Sequence, residues 1–154
     1  MRASLIANRC KVRIKDSGSR SMREPGFVLF ILFAALKFFW KNRQRILSLS
    51  LVAEVEQQVV GHIICSKAVV RKEEITLPVL NFGPLSVLPE YQRKGVGKAL
   101  INGMLEKAKA EGHGAILFFG RPEYYPQFGF KEASVYGISD CEGYNLSLIH
   151  ISEP

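Results

Sequence analysis

The stretch that decides the fold is Leu85–Leu100, LSVLPEYQRKGVGKAL. It opens on strand-forming apolar residues, Leu85 and Val87, and is cut by Pro89, which has no N–H to give a sheet. A polar turn follows, and Gly95 and Gly97 lead into a predicted helix with Val96, Leu100, Met104 and Ala108 on one face. A strand feeding a glycine-rich turn that opens a helix builds an anion site. The first helical N–H groups have no intrahelical partner, and the helix dipole adds roughly half a positive charge there. The glycines let a phosphate approach the backbone, while Arg93, Lys94 and Lys98 surround it with full charges.

Two better-known phosphate motifs do not fit. A P-loop would need glycine five residues before Gly97 and Ser or Thr after the lysine, where this chain has Gln92 and Ala99. A dinucleotide fingerprint needs a third glycine where Leu100 stands. What remains, Gln92-Arg93-Lys94-Gly95-Val96-Gly97, resembles the Q/R-x-x-G-x-G/A signature of the GCN5-related N-acetyltransferases (GNAT), which cradles the pyrophosphate of acetyl-CoA.

Downstream, the helix ends at Glu111-Gly112, and Ala115–Phe119 is a short continuous apolar run with the profile of a central parallel strand. Strand, turn, helix and strand make a βαβ unit. Glu123–Gly129, EYYPQFG, then leads to a last predicted strand from Phe130 to about Ile138. The cluster closing on Phe128-Gly129-Phe130 resembles the Y-x-x-x-G-F element of the same family, in which the tyrosine lies beside the coenzyme sulfur; that position here is Tyr125. The wording of both motifs is most similar to bacterial acetyltransferases of the YhbS type, and the resemblance covers about residues 47–138.

Upstream, Leu49, Leu51, Ala53 and Val55 alternate with Ser48, Ser50, Val52 and Glu54, the pattern of a half-buried strand. Gln57-Gln58 is read as the turn into a second strand, Val59–Val70. A charged loop, Arg71–Glu74, precedes a third strand from about Ile75 to Leu80. Asn81–Pro84 is expected to break or bulge it before Leu85–Leu88.

With 154 residues, 47% of them apolar, the chain suffices for one domain with a two-layer core. Three cysteines (Cys10, Cys65, Cys141) form no C-x-x-C pair and are odd in number. They point to a reduced, cytoplasmic protein with no metal centre and no disulfide framework, and Cys65 is expected in the core. The net charge of +7 invites a nucleic-acid reading, but its placement argues otherwise. Residues 1–45 hold 11 Lys/Arg against 2 Asp/Glu, a balance of +9, and residues 46–154 hold 10 against 12, a balance of −2. No nucleic-acid partner is expected for the part that carries the motifs. A basic arm for nucleic acid or a membrane surface is the lowest-ranked reading of the N-terminal third.

Both ends depart from the family pattern. Residues 1–46 form an atypical segment: 25 polar and basic residues without a period, then Phe27–Trp40, thirteen apolar residues and Lys37. As a helix that run would rise about 21 Å against the roughly 30 Å of a bilayer core, so membrane association of 27–40 is not expected and a buried helix is the simpler reading. At the far end, residues 139–154 are a tail whose last nine, Leu146–Pro154 (LSLIHISEP), resemble a peptide encoded in one frame of a transposon-derived sequencing adapter. Residues 146–154 are therefore expected to be non-native, a frame error upstream that would make 1–46 non-native is held open, and the family's terminal strand is expected to be missing.

The resemblance implies a mixed α/β (α+β) fold, a mostly antiparallel sheet around the central βαβ unit. It implies an enzyme that transfers an acetyl group from acetyl-CoA to an amine of a small molecule or peptide. Pantetheine would pair with the strand edge at Leu85 and Val87, and a backbone N–H near Val87 or Leu88 would polarise the thioester carbonyl. The turn from Gln92 through Arg93, Lys94, Gly95, Val96 and Gly97 to Lys98 would hold the pyrophosphate, and Tyr125 would protonate the leaving thiolate. Each role has a plainer alternative: a tight turn for the glycines, a packing tyrosine for Tyr125, and structure for Tyr124. His62 and Glu54 are the local candidates for a base. The plainer readings are a hydrogen-bonded strand histidine and a solvent-facing glutamate, and ordered water would serve instead. The competing functions are a non-catalytic CoA-binding module and a truncated, inactive fragment of an acetyltransferase, and self-association into a homodimer is left open.

Overall fold

The computed structural model describes residues 4–7, 10–16, 46–120, 123–139 and 147–151. The apolar run 27–40 and the residues around Cys141 lie outside them. Eight strands form one sheet: β1 (Ser4–Ala7), β2 (Cys10–Asp16), β3 (Leu51–Val55), β4 (Gln58–Lys72), β5 (Ile75–Val87), β6 (Ala115–Phe119), β7 (Lys131–Glu132) and β8 (Ser147–Ile151). Their spatial order is β1-β2-β3-β4-β5-β6-β8-β7. Every pair is antiparallel except β5–β6, as expected for a strand–helix–strand crossover.

The crossover is α1 (Val96–Ala110). Its stripe of Val96, Leu100, Ile101, Met104 and Ala108 is buried, and each of the larger side chains contributes roughly 1.5–3 kcal/mol of apolar burial. The helix ends at Gly112, left-handed at φ +79°, with His113 N–H donating to Ala108 O and Gly112 N–H to Lys109 O. The helix sits on the sheet face that carries Gly61, where a Cβ would lie 3.2 Å from both Val96 Cγ1 and Leu100 Cδ1. Cys65 is buried in this core, and the apolar surroundings push its thiol up to about 12.

Of the two outcomes expected at Asn81–Pro84 the chain takes the bulge: β5 runs from Ile75 to Val87, with a register shift at Gly83-Pro84 against Ile63 and Cys65 of β4. Three other expectations change. The strand expected over 130–138 is only Lys131–Glu132, and Ala133–Tyr136 coils into a 3-10 turn. The polar N-terminus, without a period of its own, contributes β1 and β2 by pairing onto β3. Finally, the terminal strand is present. Ser147–Ile151, inside the nonapeptide set apart as non-native, pairs antiparallel with both β6 and β7. Any alternating apolar segment that can reach two unpaired edges satisfies them.

Candidate functional site

β5 and β6 pair only at Leu80–Ile116 and Asn81–Leu117, then separate. Phe82 stacks on Phe118 at the fork, with ring centroids 4.1 Å apart. Beyond it, β5 continues to Val87 without β6, which keeps β8 on its other edge from Ala115 to Phe119. Among the described residues, the outer edge of β5 is therefore open from Leu85 to Val87. The register decides which backbone groups face it. Leu88 N–H donates to Val60 O at 2.8 Å, and Gly61 lies opposite Val87. Alternation in an antiparallel ladder turns Ser86 toward β4 and turns Leu85 and Val87 away, into the gap. The same bond takes Leu88 out of consideration as a donor to a bound carbonyl, leaving Val87 of the two.

The turn after β5 is tightly specified. Pro89–Tyr91 makes one 3-10 turn, and the chain then passes through left-handed backbone at Arg93 (φ +58°) and Gly95 (φ +84°). The first helical bond is Ala99 N–H to Gly95 O at 2.9 Å. The N–H groups of Val96, Gly97 and Lys98 thus have no helical acceptor, Gly95 has no side chain to cap them, and no acidic residue lies in the first turn. Arg93, Lys94 and Lys98 are exposed around this end, Lys94 resting over the Tyr91 ring at 5.4 Å. Val96 contributes only its backbone, because its side chain is buried against Gly61.

Gln92 Nε2 donates to Val87 O at 3.1 Å and so joins the turn to the open edge. A Cβ on Gly97 would lie 3.9 Å from Val87 Cγ2 and 3.8 Å from the Tyr124 hydroxyl, ordinary contacts, so packing alone does not require glycine there. Val87, Gln92, Gly97 and Tyr124 therefore converge at the mouth of the gap. From sequence alone Tyr124 reads as structural. It is 43% exposed, and partial burial raises its pKa. Nothing local distinguishes it, since its closeness to α1 arises only once the 3-10 turn Tyr125–Phe128 folds back.

Tyr125 lies deeper, edge-on to Phe118 at 4.2 Å and within 6.1 Å of Phe82 and Phe130. Burial, and secondarily Tyr124, raises its pKa, so it stays protonated at neutral pH. Gly120 makes room for it: a Cβ there would overlap the Phe118 ring and sit 2.9 Å from Tyr125 Cε2.

The two base candidates face away from α1. Gly61 points at the helix, so His62, the next residue, points to the opposite face, together with Val52 and Glu54. Both expectations for this pair fail. Glu54 is 3% exposed rather than solvent-facing, and buried His62 has no hydrogen-bond partner at either ring nitrogen among the described residues. Desolvation pushes the imidazole down to about 4. Among the described residues no group of three or more His, Cys, Asp or Glu is arranged to hold a metal ion. No described helix is long and apolar enough to cross a membrane.

A family model described as an acetyltransferase (GNAT) domain matches residues 47–132. The chain belongs to the GNAT family. The uncharacterized N-acetyltransferase YjhQ of Escherichia coli K12 is 39% identical to this GNAT chain over 85 residues, 54% of this chain and 46% of YjhQ. The chain thus spans about half the length of that curated relative. Among solved structures, the fold is similar to the E. coli GNAT protein YhbS in complex with CoA, at 20% identity and a TM-score of 0.71, covering 97% of this chain and 84% of YhbS. It is also similar to a GNAT acetyltransferase from Brucella melitensis in complex with acetyl-CoA, at 24% identity and a TM-score of 0.64, covering 93% of this chain and 89% of that one.

Proposed function

We propose that this GNAT domain is an acetyl-CoA-dependent N-acyltransferase whose acceptor is an amine of a small molecule or peptide. Acetyl-CoA supplies a thioester carbonyl and a thiolate leaving group. The free N–H groups of Val96, Gly97 and Lys98 hold the pyrophosphate, with Arg93, Lys94 and Lys98 adding charge. Leu85 and Val87 offer backbone donors and acceptors to the pantetheine amides, and Val87 N–H polarises the thioester carbonyl. The neutral amine forms the new C–N bond as the C–S bond breaks. Tyr125 gives its proton to the sulfur, the ammonium proton leaves to water, and the Tyr125 phenolate regains a proton from water.

The observation that carries this reading is the open Leu85–Val87 edge tied through Gln92 to an uncapped helix N-terminus. Titration calorimetry with acetyl-CoA tests it, with Gly95→Glu as the control. Saturable binding that the control abolishes is expected. A folded chain that binds no acetyl-CoA would overturn the reading. The aromatic packing of Tyr125 fits a non-catalytic CoA-binding module equally well, and Tyr125→Phe separates the two.

A further inference from the structure

The geometry points to His62, with Ser86 beside it, as the subsite that accepts an N–H of the acceptor amine. This rests on the acetyl-transfer reading and extends it to the other substrate. His62 is 3% exposed with both ring nitrogens unpartnered among the described residues. A buried polar group without a partner is destabilising, so this ring is a place where a ligand regains what folding gives up.

Its position suits an acceptor. His62 lies directly opposite Ser86 on β5, and Ser86 is flanked by Leu85 and Val87, whose backbone faces the gap. Side chains of such opposed residues are neighbours, with Cβ atoms about 5 Å apart. α1 and the phosphate-binding turn occupy one face of the sheet and His62 the other. That face is covered at His62 itself, and half-buried Ser86 is the accessible member of the pair, so a group reaching Ser86 at the β5 edge meets the His62 ring next.

The chemistry is that of recognition. The depressed basicity keeps the imidazole neutral at physiological pH, so it offers one acceptor and one donor without repelling a cationic amine. That same low basicity makes it a poor sink for the ammonium proton, which is why the proton goes to solvent. Glu54, two residues along β3 from His62's partner Val52, places a carboxylate on the same face.

The test compares wild type, His62→Leu and His62→Gln by acetyl-CoA titration and by thiol release with spermidine, free lysine and a peptide with a free N-terminus. All three chains are expected to bind acetyl-CoA alike. His62→Leu should raise KM for the best amine by about tenfold or more, and His62→Gln, whose amide keeps a donor and an acceptor, should recover part of the loss. An unchanged amine KM in His62→Leu, or in His62→Gln if the leucine variant does not fold, overturns the subsite and leaves acetyl transfer standing. Acetyl-CoA binding without transfer to any of these amines overturns the amine acceptor and the subsite together. A wild-type chain that binds no acetyl-CoA overturns the acetyl-transfer reading itself.

Discussion

The side-chain amide of Gln92 donates to the backbone carbonyl of Val87, so the glycine turn and the open strand edge are held in one geometry by a single bond of 3.1 Å. Gln92 is exposed, and the bond is worth about 1 kcal/mol or less to stability. Under the proposed function its weight lies in binding. Gln92→Glu cannot donate to Val87 O and puts a negative charge beside the phosphate site. Acetyl-CoA affinity should fall about tenfold or more by calorimetry, with the thermal midpoint little changed. Unchanged affinity would remove Gln92 from the site.

Gly95 and Gly97 should respond differently. Gly95 has φ +84°, where an L side chain is strained by about 1–2 kcal/mol, and Gly95→Ala should lose about that in urea denaturation. At Gly97 a Cβ meets only ordinary contacts, so Gly97→Ala should match or exceed wild-type stability, by up to about 1 kcal/mol of helix propensity. Gly97→Leu, by contrast, fills the space between Val87 and Tyr124 and should cost acetyl-CoA binding while retaining the helical circular dichroism. Wild-type affinity in Gly97→Leu would dissociate this turn from the phosphate.

Tyr125→Phe keeps the ring contacts with Phe118 and Phe82 and removes only the hydroxyl. Stability should change by under about 1 kcal/mol, because the hydroxyl makes no hydrogen bond among the described residues. If that hydroxyl is the acid, kcat should fall by about 10²-fold at unchanged acetyl-CoA affinity. Wild-type kcat would assign Tyr125 to packing.

His62 makes stability depend on acid. Its folded pKa of about 4 lies below the ordinary 6.5, so between those values the unfolded chain binds more protons and the slope of stability with pH is positive. Stability is full above pH 6.5 and falls as pH drops toward 4, by about 3 kcal/mol from this group. Urea midpoints of wild type and His62→Leu should therefore diverge on acidification, the variant losing less. Parallel curves would mean that the imidazole is not desolvated.

Deleting residues 146–154 should leave β6 and β7 without their shared partner and expose the surface buried by Leu148 and Ile149. A loss of about 3 kcal/mol or more, with concentration-dependent light scattering, is expected. Equal stability and no scattering would show that β8 is dispensable.

Much of the fold was legible because its signals are local. The period of Val96, Leu100, Met104 and Ala108, the stop at Gly112 and the apolar run of β6 each depend on residues within a few positions of one another, so α1 and β6 stand where the periodicity puts them. The same holds for the glycine turn, whose left-handed Gly95 is a local steric requirement. Other features are decided by partners distant in sequence. β5 crosses Gly83-Pro84 because β4 pairs with it on both sides of the bulge, and β8 forms because two edges are open to it. Tyr124 reaches Gly97, and Leu88 N–H is withdrawn from the site, through register and a chain reversal that no window of sequence contains. Alternation places Glu54 and His62 on one face, but which face is buried is a property of the assembled sheet. By itself the sequence determined the elements of the proposed donor half, one turn and one strand edge, whose signals are local. Only the tertiary structure decided the surroundings of the proposed acceptor half, because they are assembled across strands.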